Sequence, residues 1–141
     1  MQRRLFSLLA IPLVLFAQCA PDGCAPGPEP YIEQGTIEIP RLGLSRTLLE
    51  GISLATLDIA PGHWPGTAMP GNPGNVVVAG HRVDHHRDFR NIDPLVRGDE
   101  VIFHTSAGRF RYVVTGTSIV SGAALWVVNQ TPASTGTLIA C

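Results

Sequence analysis

Glycine and proline interrupt this sequence so often that long helices are excluded. The 141-residue chain contains 15 glycines and 12 prolines, and both residue types break helices and favour turns. The apolar runs between them are short, and no amphipathic helix of more than about two turns fits their pattern. Many turns joined to short apolar runs indicate an all-β fold. The length of the chain suggests one domain.

Alternating and β-branched residues predict where the strands lie. The predicted strands are TIEIP (36–40), RTLLEG (46–51), NVVVAG (75–80), and a hairpin of VIFHT (101–105) and RFRYVV (109–114). The apolar runs LWVV (125–128) and TGTLIAC (135–141) are the last predicted strands, and one helical turn is predicted near residues 89–92. We therefore expect a β-barrel or β-sandwich with one long Gly/Pro-rich loop over residues 57–75.

The first 33 residues differ in composition from the rest. Arg3 and Arg4 precede an apolar run over residues 5–17, the order of charges typical of an export signal. The run is shorter than the roughly 20 residues that span a bilayer. Residues 1–20 are predicted to be a signal peptide or, alternatively, a short membrane anchor. Residues 21–33 form a Pro/Gly linker, residues 34–141 form the domain, and we expect that domain on the extracellular face of the cell membrane.

Charge and residue clusters exclude some functions. The formal net charge is −1 and no basic stripe is present, so nucleic acid is not an expected partner. Asp84, His85 and His86 lie close together in sequence, but they lack the spacing of a zinc motif and have no cysteine nearby. A solvated loop is the better interpretation of this cluster. We therefore assign no metal and no cofactor.

Four stretches resemble the sortase family of cell-surface transpeptidases. They are IEIPRLGLSRTLLEG (37–51), PGHWPGTAMPGNPGNVVVAGHR (61–82), FRNIDPLVRGDEVIFHT (89–105) and the terminal TLIAC (137–141). The terminal segment is similar to the signature TLxTC of that family. The loop PGHWPGTAMPG is most similar to the class D, E and F members.

The resemblance implies a fold and a reaction. The family fold is a closed β-barrel of eight strands with short helical turns, in which the catalytic Cys ends the seventh strand. The implied activity is that of a cysteine transpeptidase or hydrolase, a thiol enzyme that cleaves an LPxTG- or LAxTG-like sorting signal after its Thr. The Thr is held as a thioester and passed to an amine. The implied partners are the sorting signal of a surface protein and an amine of cell-wall peptidoglycan or of a pilin. The membrane is a further expected partner, contacted through the N-terminal segment.

Cys141 and His81 are the predicted catalytic residues. A thiolate is a strong nucleophile that needs only a nearby imidazole, and His81 follows a predicted buried strand, where an imidazole can donate and accept protons. The alternatives are that Cys141 is a small buried apolar residue and that His81 is an ordinary residue at a strand end. Chain order argues against a papain-like peptidase, because here the His precedes the Cys.

Three further residues take supporting roles by the resemblance. Thr137 belongs to the terminal signature. Ala140 replaces the Thr that usually precedes the Cys, which removes a hydroxyl but leaves a backbone N–H for the oxyanion. His63, in the loop PGHWPG, matches a position that is often His in classes D to F. We predict that these three residues support substrate binding or the oxyanion.

One departure from the family concerns the strand that follows the Cys. That strand carries an Arg that binds substrate, and it has no counterpart here. A lost preorganised donor costs on the order of 100- to 1,000-fold in rate. We therefore expect this sequence to be a C-terminally truncated sortase. The 141-residue form should show little turnover, so activity should be tested on the full-length protein. The alternative is a catalytically impaired, exported β-barrel that acts as a binding module.

Overall fold

The structure, a computed structural model, describes residues 30–140. Its regular elements are the strands β1 (Glu33–Ile39), β2 (Leu44–Glu50), β3 (Gly62–His63), β4 (Gly74–Gly80), β5 (Glu100–Thr105), β6 (Gly108–Val113) and β7 (Ser134–Ala140), the helix α1 (Leu54–Leu57), and 3-10 helices at Pro40–Leu42 and Leu125–Val128. The predicted signal segment, most of the predicted linker, and Cys141 lie outside the described residues.

All seven strands belong to one sheet, in the order β6-β5-β1-β2-β3-β4-β7. Four neighbouring pairs are antiparallel, whereas β2/β3 and β4/β7 are parallel. The two parallel pairs need long connections. The segment between β4 and β7 contains the β5–β6 hairpin and two long loops, and one of these loops carries most of the histidines.

The sheet curls until its two end strands meet, so that it forms a nearly closed barrel. Tyr112 of β6 packs against Gly136 of β7, where an added Cβ would lie 3.3 Å from the Tyr112 ring. The same tyrosine accepts a hydrogen bond from the backbone N–H of Gly71 at 3.1 Å. The prediction of an all-β barrel with few helical residues is confirmed.

The core fills the barrel interior. Its buried members are Ile37, Ile39, Leu48, Val76, Val78, Phe89, Leu95, Val101 and Phe103. Every residue of β4 is buried, which agrees with its continuous run of valines. Phe89 comes from a loop and not from a strand, and its ring is fully buried. The loop after β4 is thereby fixed to the end of the barrel.

Three local predictions differ from the structure. The segment LWVV at 125–128 forms a 3-10 helix, in which Leu125 and Trp126 are mostly exposed, so the apolar run does not enter the sheet. Residues 89–92 form hydrogen-bonded turns and no helix. The loop predicted over residues 57–75 contains β3, whose two residues pair with both β2 and β4.

The helices of residues 30–140 are all short, and none has the length and apolarity needed to cross a membrane.

Candidate active site

The parallel pairing of β4 with β7 defines the position of the site. The register runs without a shift from Gly74 beside Ser134 to Gly80 beside Ala140. Neighbouring strands lie about 4.8 Å apart, and parallel strands end at the same edge of a sheet. His81 follows Gly80 directly, so its backbone lies at this edge.

His81 is largely buried, with 8% of its surface exposed. Its Nε2 lies 2.8 Å from Oδ1 of Asp58, and its backbone carbonyl accepts a hydrogen bond from the N–H of Phe89 at 3.0 Å. Gly80 leaves room for the ring of Phe89, because a Cβ at that position would lie 2.7 Å from the ring. The end of β4 and the buried Phe89 together hold the imidazole in place.

Asp58 is a member of the site that sequence reasoning missed. It ends the short helix α1, where its backbone N–H donates to the carbonyl of Leu54 at 2.8 Å. Ser53 starts that helix by accepting a hydrogen bond from the N–H of Thr56 at 3.2 Å, which is an ordinary N-cap. The sequence signal was available: a Ser followed by four helix-compatible residues, and then one acid in an otherwise apolar stretch.

His85 joins the same carboxylate from the loop after β4. Its Nδ1 lies 3.0 Å from Oδ1 of Asp58, and its ring stacks on that of His81 with centroids 5.6 Å apart. The cluster predicted to be a solvated loop is therefore divided. All three residues are exposed, but only His85 contacts Asp58 and His81, while Asp84 and His86 stand outside this group of three residues.

The arginine next to His81 has a partner of its own. Arg82 forms a two-pronged ion pair with Asp93, with Nη1 3.0 Å from Oδ1. Both side chains are about half exposed. The guanidinium of Arg82 is thus held by the loop and not directed at Asp58.

A second ion pair supports the loop that carries His85. Nε of Arg46 on β2 lies 2.9 Å from Oδ1 of Asp88, although that N–H makes no aligned hydrogen bond. Nη2 of the same guanidinium donates to the carbonyl of Ile59 at 2.8 Å. Burial raises the pKa of Asp88 above its ordinary value of 3.8, against the opposing effect of Arg46, His86 and His81.

His63 is a buried residue, and both of its ring nitrogens have partners. It is 2% exposed, and its Nδ1 lies 2.7 Å from Oε2 of Glu50. Its Nε2 lies 3.0 Å from the carbonyl oxygen of Ala68 and 3.1 Å from the hydroxyl of Thr67. These contacts link β3 to β2 and to the following loop. The predicted share of His63 in substrate binding stays a prediction.

Thr137 and Ala140 both lie on β7 but in different settings. The Thr137 hydroxyl donates to Oδ1 of Asn75 at 2.9 Å, and Thr137 precedes Ala140 by about 10 Å of strand. Ala140 packs against the barrel core beside Gly80. The structure therefore brings Ala140, and not the hydroxyl of Thr137, to the end of β4. Their predicted roles at the oxyanion are not tested by these contacts.

Comparison with known proteins gives a single family. A family model described as the Sortase domain matches residues 37–141. Sortase D of Bacillus subtilis (strain 168) is 31% identical over 93 residues, which cover 66% of this chain and 46% of that protein. The chain thus spans about half the length of this curated relative.

Solved structures of sortases share the fold. A Sortase D5 transpeptidase of Clostridium perfringens is 34% identical with a TM-score of 0.72, over 77% of this chain and 69% of that one. A mutant of sortase E from Streptomyces avermitilis is 30% identical with a TM-score of 0.72, over 78% and 81% of the two chains. With a family model that matches three quarters of the sequence, the chain belongs to the sortase family.

Proposed function

We propose that this chain carries the active site of a sortase-type cysteine transpeptidase, with Cys141 as nucleophile and His81 as proton donor and acceptor. The observation that carries the proposal is the unbroken parallel register of β4 and β7, which pairs Gly80 with Ala140. His81 directly follows β4 in the sequence, and Cys141 directly follows β7. A register continued by one residue would bring the imidazole and the thiol to neighbouring positions at one sheet edge.

The first half of the proposed reaction forms an acyl-enzyme. The Cys141 thiolate attacks the carbonyl carbon of the Thr in a sorting peptide, and the carbonyl oxygen becomes an oxyanion that the backbone N–H of Ala140 is proposed to stabilise. When the oxyanion collapses, the C–N bond after the Thr breaks. The imidazolium of His81 gives its proton to the departing amine. The Thr remains as a thioester on Cys141.

The second half returns the enzyme to its starting state. His81, now neutral, takes a proton from the incoming amine, which attacks the thioester carbonyl and expels the Cys141 thiolate. We propose that Asp58 acts in both halves as a positioning residue. Its carboxylate, 2.8 Å from Nε2 of His81, orients the imidazole and stabilises its protonated form.

The proposed partners follow from the chemistry of the reaction. The donor is a surface protein with an LPxTG- or LAxTG-like sorting signal, and the acceptor is an amine of peptidoglycan or of a pilin. Such partners meet outside the cell, so the proposal places the domain on the extracellular face of the membrane, with residues 1–20 as its signal or anchor.

Trapping of the thioester tests the proposal. Full-length protein is incubated with an LPxTG or LAxTG peptide, and intact-mass spectrometry should detect an adduct on Cys141 that hydroxylamine releases. The adduct should be absent in Cys141→Ala and strongly reduced in His81→Ala. His104→Ala is the matched control. His104 is half-exposed and paired with Glu38, and it lies on β5, which is not a neighbour of β4 or β7 in the sheet. Folded protein that forms no adduct with either peptide would leave only the binding-module alternative.

A further inference from the structure

Two imidazoles and one carboxylate lie close together beyond the end of β4. Oδ1 of Asp58 lies 2.8 Å from Nε2 of His81 and 3.0 Å from Nδ1 of His85. The three ligand atoms all lie within 4.8 Å of one another. Among residues 30–140 this is the single group of three His, Cys, Asp or Glu side chains with metal-ligand spacing.

The three ligands come from two segments that are fixed independently. Asp58 is held by the end of α1. His81 is held by the barrel end and by the ring of His85 stacked on it. A tetrahedral zinc site with bonds of about 2.0 to 2.2 Å needs donor atoms somewhat over 3 Å apart. The contacts of 2.8 and 3.0 Å to Oδ1 of Asp58 are therefore within roughly half an ångström of the spacing required.

The environment sets which cation fits. Two nitrogen donors and one oxygen donor suit borderline ions such as Zn²⁺, Co²⁺ and Ni²⁺, whereas Mg²⁺ and Ca²⁺ require oxygen ligands. Asp58 and His85 are 36% and 53% exposed, so a cation reaches the site from solvent. Arg82, which follows His81 directly in sequence, is paired with Asp93 and does not neutralise the Asp58 carboxylate directly.

We propose that Asp58, His81 and His85 form a transition-metal site, of the kind that takes Zn²⁺, and that metal occupancy switches the transpeptidase off. The switch rests on the proposed function, because it requires His81 as the proton carrier. A metal bound to Nε2 of His81 takes the place of the proton held against Asp58, so the ring can no longer form the imidazolium that gives a proton to the departing amine. Metal binding and acyl transfer are then mutually exclusive.

The binding test needs no enzyme activity. Co²⁺ is titrated into the full chain, where a four-coordinate site gives visible ligand-field bands. We expect these bands in wild type and in His86→Ala, and their loss in His85→Ala, together with a Zn²⁺ affinity that is at least about tenfold weaker. His86 is the matched control, since it lies in the same loop without joining the cluster. The cysteines are identical in both variants, so their contribution cancels.

Measuring thioester formation with and without metal distinguishes metal inhibition from the transpeptidase reaction itself. We expect micromolar Zn²⁺ to abolish thioester formation in wild type and in His86→Ala, while millimolar Mg²⁺ and Ca²⁺ leave it unchanged. His85→Ala should still form the thioester without metal, and its own metal-free rate, whatever its value, should be unchanged by Zn²⁺. His85→Gln repeats this comparison if the alanine variant is unstable by thermal unfolding.

Each contrary outcome has a defined meaning. Equal Co²⁺ spectra and Zn²⁺ affinity in His85→Ala and wild type would overturn the metal site. Co²⁺ bands that survive His85→Ala but vanish in Cys141→Ala would also overturn it, because the metal would then sit on the thiol. If folded protein never forms a thioester, the proposed function fails, yet the Co²⁺ titration still decides whether the cluster binds metal.

Discussion

At the scale of single residues, the carboxylate of Asp58 organises the site. It accepts contacts from both His81 and His85, and no sequence motif links it to either. His63 contacts Glu50, Thr67 and Ala68 and lies on β3, the short strand inside the predicted loop. Its predicted role in substrate binding stays a prediction.

Asp58→Asn should slow the reaction without weakening peptide binding. The amide keeps the shape of the side chain but loses the charge that orients the imidazolium, and a misplaced catalytic group costs up to about 100-fold in rate. Steady-state kinetics should show a lower kcat with KM nearly unchanged. Asp84→Asn is the control, because Asp84 is exposed in the neighbouring loop and outside the cluster. A wild-type kcat in Asp58→Asn would refute the positioning role.

Asp88 should make the stability depend on pH in an uncommon direction. Burial raises the pKa of Asp88 in the folded protein above 3.8, so the folded state binds more protons than the unfolded state between these two values. Stability then falls as pH rises through this window. The contribution is fully present below about pH 3.8 and is lost above the raised pKa.

Comparison with Asp88→Asn isolates this effect. The free energy of unfolding in urea is measured for both proteins at a series of pH values, and the other titrating groups largely cancel in the difference. The stability of wild type relative to Asp88→Asn should decrease as pH rises from about 3.8. A relative stability that increases over this range would mean that the ion pair with Arg46 outweighs burial.

At the scale of elements, the pairing of β4 with β7 and the loop after β4 build the site together. β4 ends at the sheet edge directly before His81, and the buried Phe89 anchors the loop that carries His85 to the core. Phe89 is fully buried and donates its N–H to the carbonyl of His81. Phe89 thus anchors the loop that carries His85 to the core at the end of β4.

Gly80→Ala should disturb that fastening. The new methyl group would lie 2.7 Å from the buried ring of Phe89, which is too close to be absorbed by a small movement. Overpacking of this kind costs about 1 to 3 kcal/mol, and we expect a lower free energy of unfolding together with slower thioester formation. Gly116→Ala is the control, because nothing lies within 4 Å of a Cβ at that glycine. Equal losses in both variants would contradict the role of Phe89.

At the scale of the whole molecule, the barrel closes between β6 and β7 through a side chain. Tyr112 packs against Gly136, meets the ring of Phe103 edge-on with centroids 5.5 Å apart and accepts a hydrogen bond from Gly71. β7 is also the strand that leads to Cys141. These contacts of Tyr112 form the seam between β6 and β7 that closes the barrel. The seam therefore stabilises the strand that precedes the proposed nucleophile.

Tyr112→Phe should weaken this seam measurably. The ring contacts remain, but the N–H of Gly71 loses its acceptor, which costs about 0.5 to 1.5 kcal/mol. Denaturant unfolding should show a loss of this size. Tyr31→Phe should be neutral, since Tyr31 is 58% exposed. A neutral Tyr112→Phe would show that the hydrogen bond from Gly71 adds nothing to barrel closure.

The sequence alone determined the fold class, most strands and the two proposed catalytic residues. Val76, Val77 and Val78 form a β-branched run that is typical of a buried strand, and His81 directly follows the segment NVVVAG. These features depend on local composition and on order along the chain, which a sequence states explicitly. The resemblance to sortases depends on the same information.

Only the tertiary structure decided which side chains meet. Asp58 and His81 are 23 residues apart, and the parallel β4/β7 pairing joins segments about 60 residues apart. The burial of His63 on β3, and the contact of His85 rather than His86 with Asp58, are likewise properties of the folded chain. Such contacts are set by the balance of packing and hydrogen bonding over the whole barrel, because each local segment is compatible with several arrangements until the core closes.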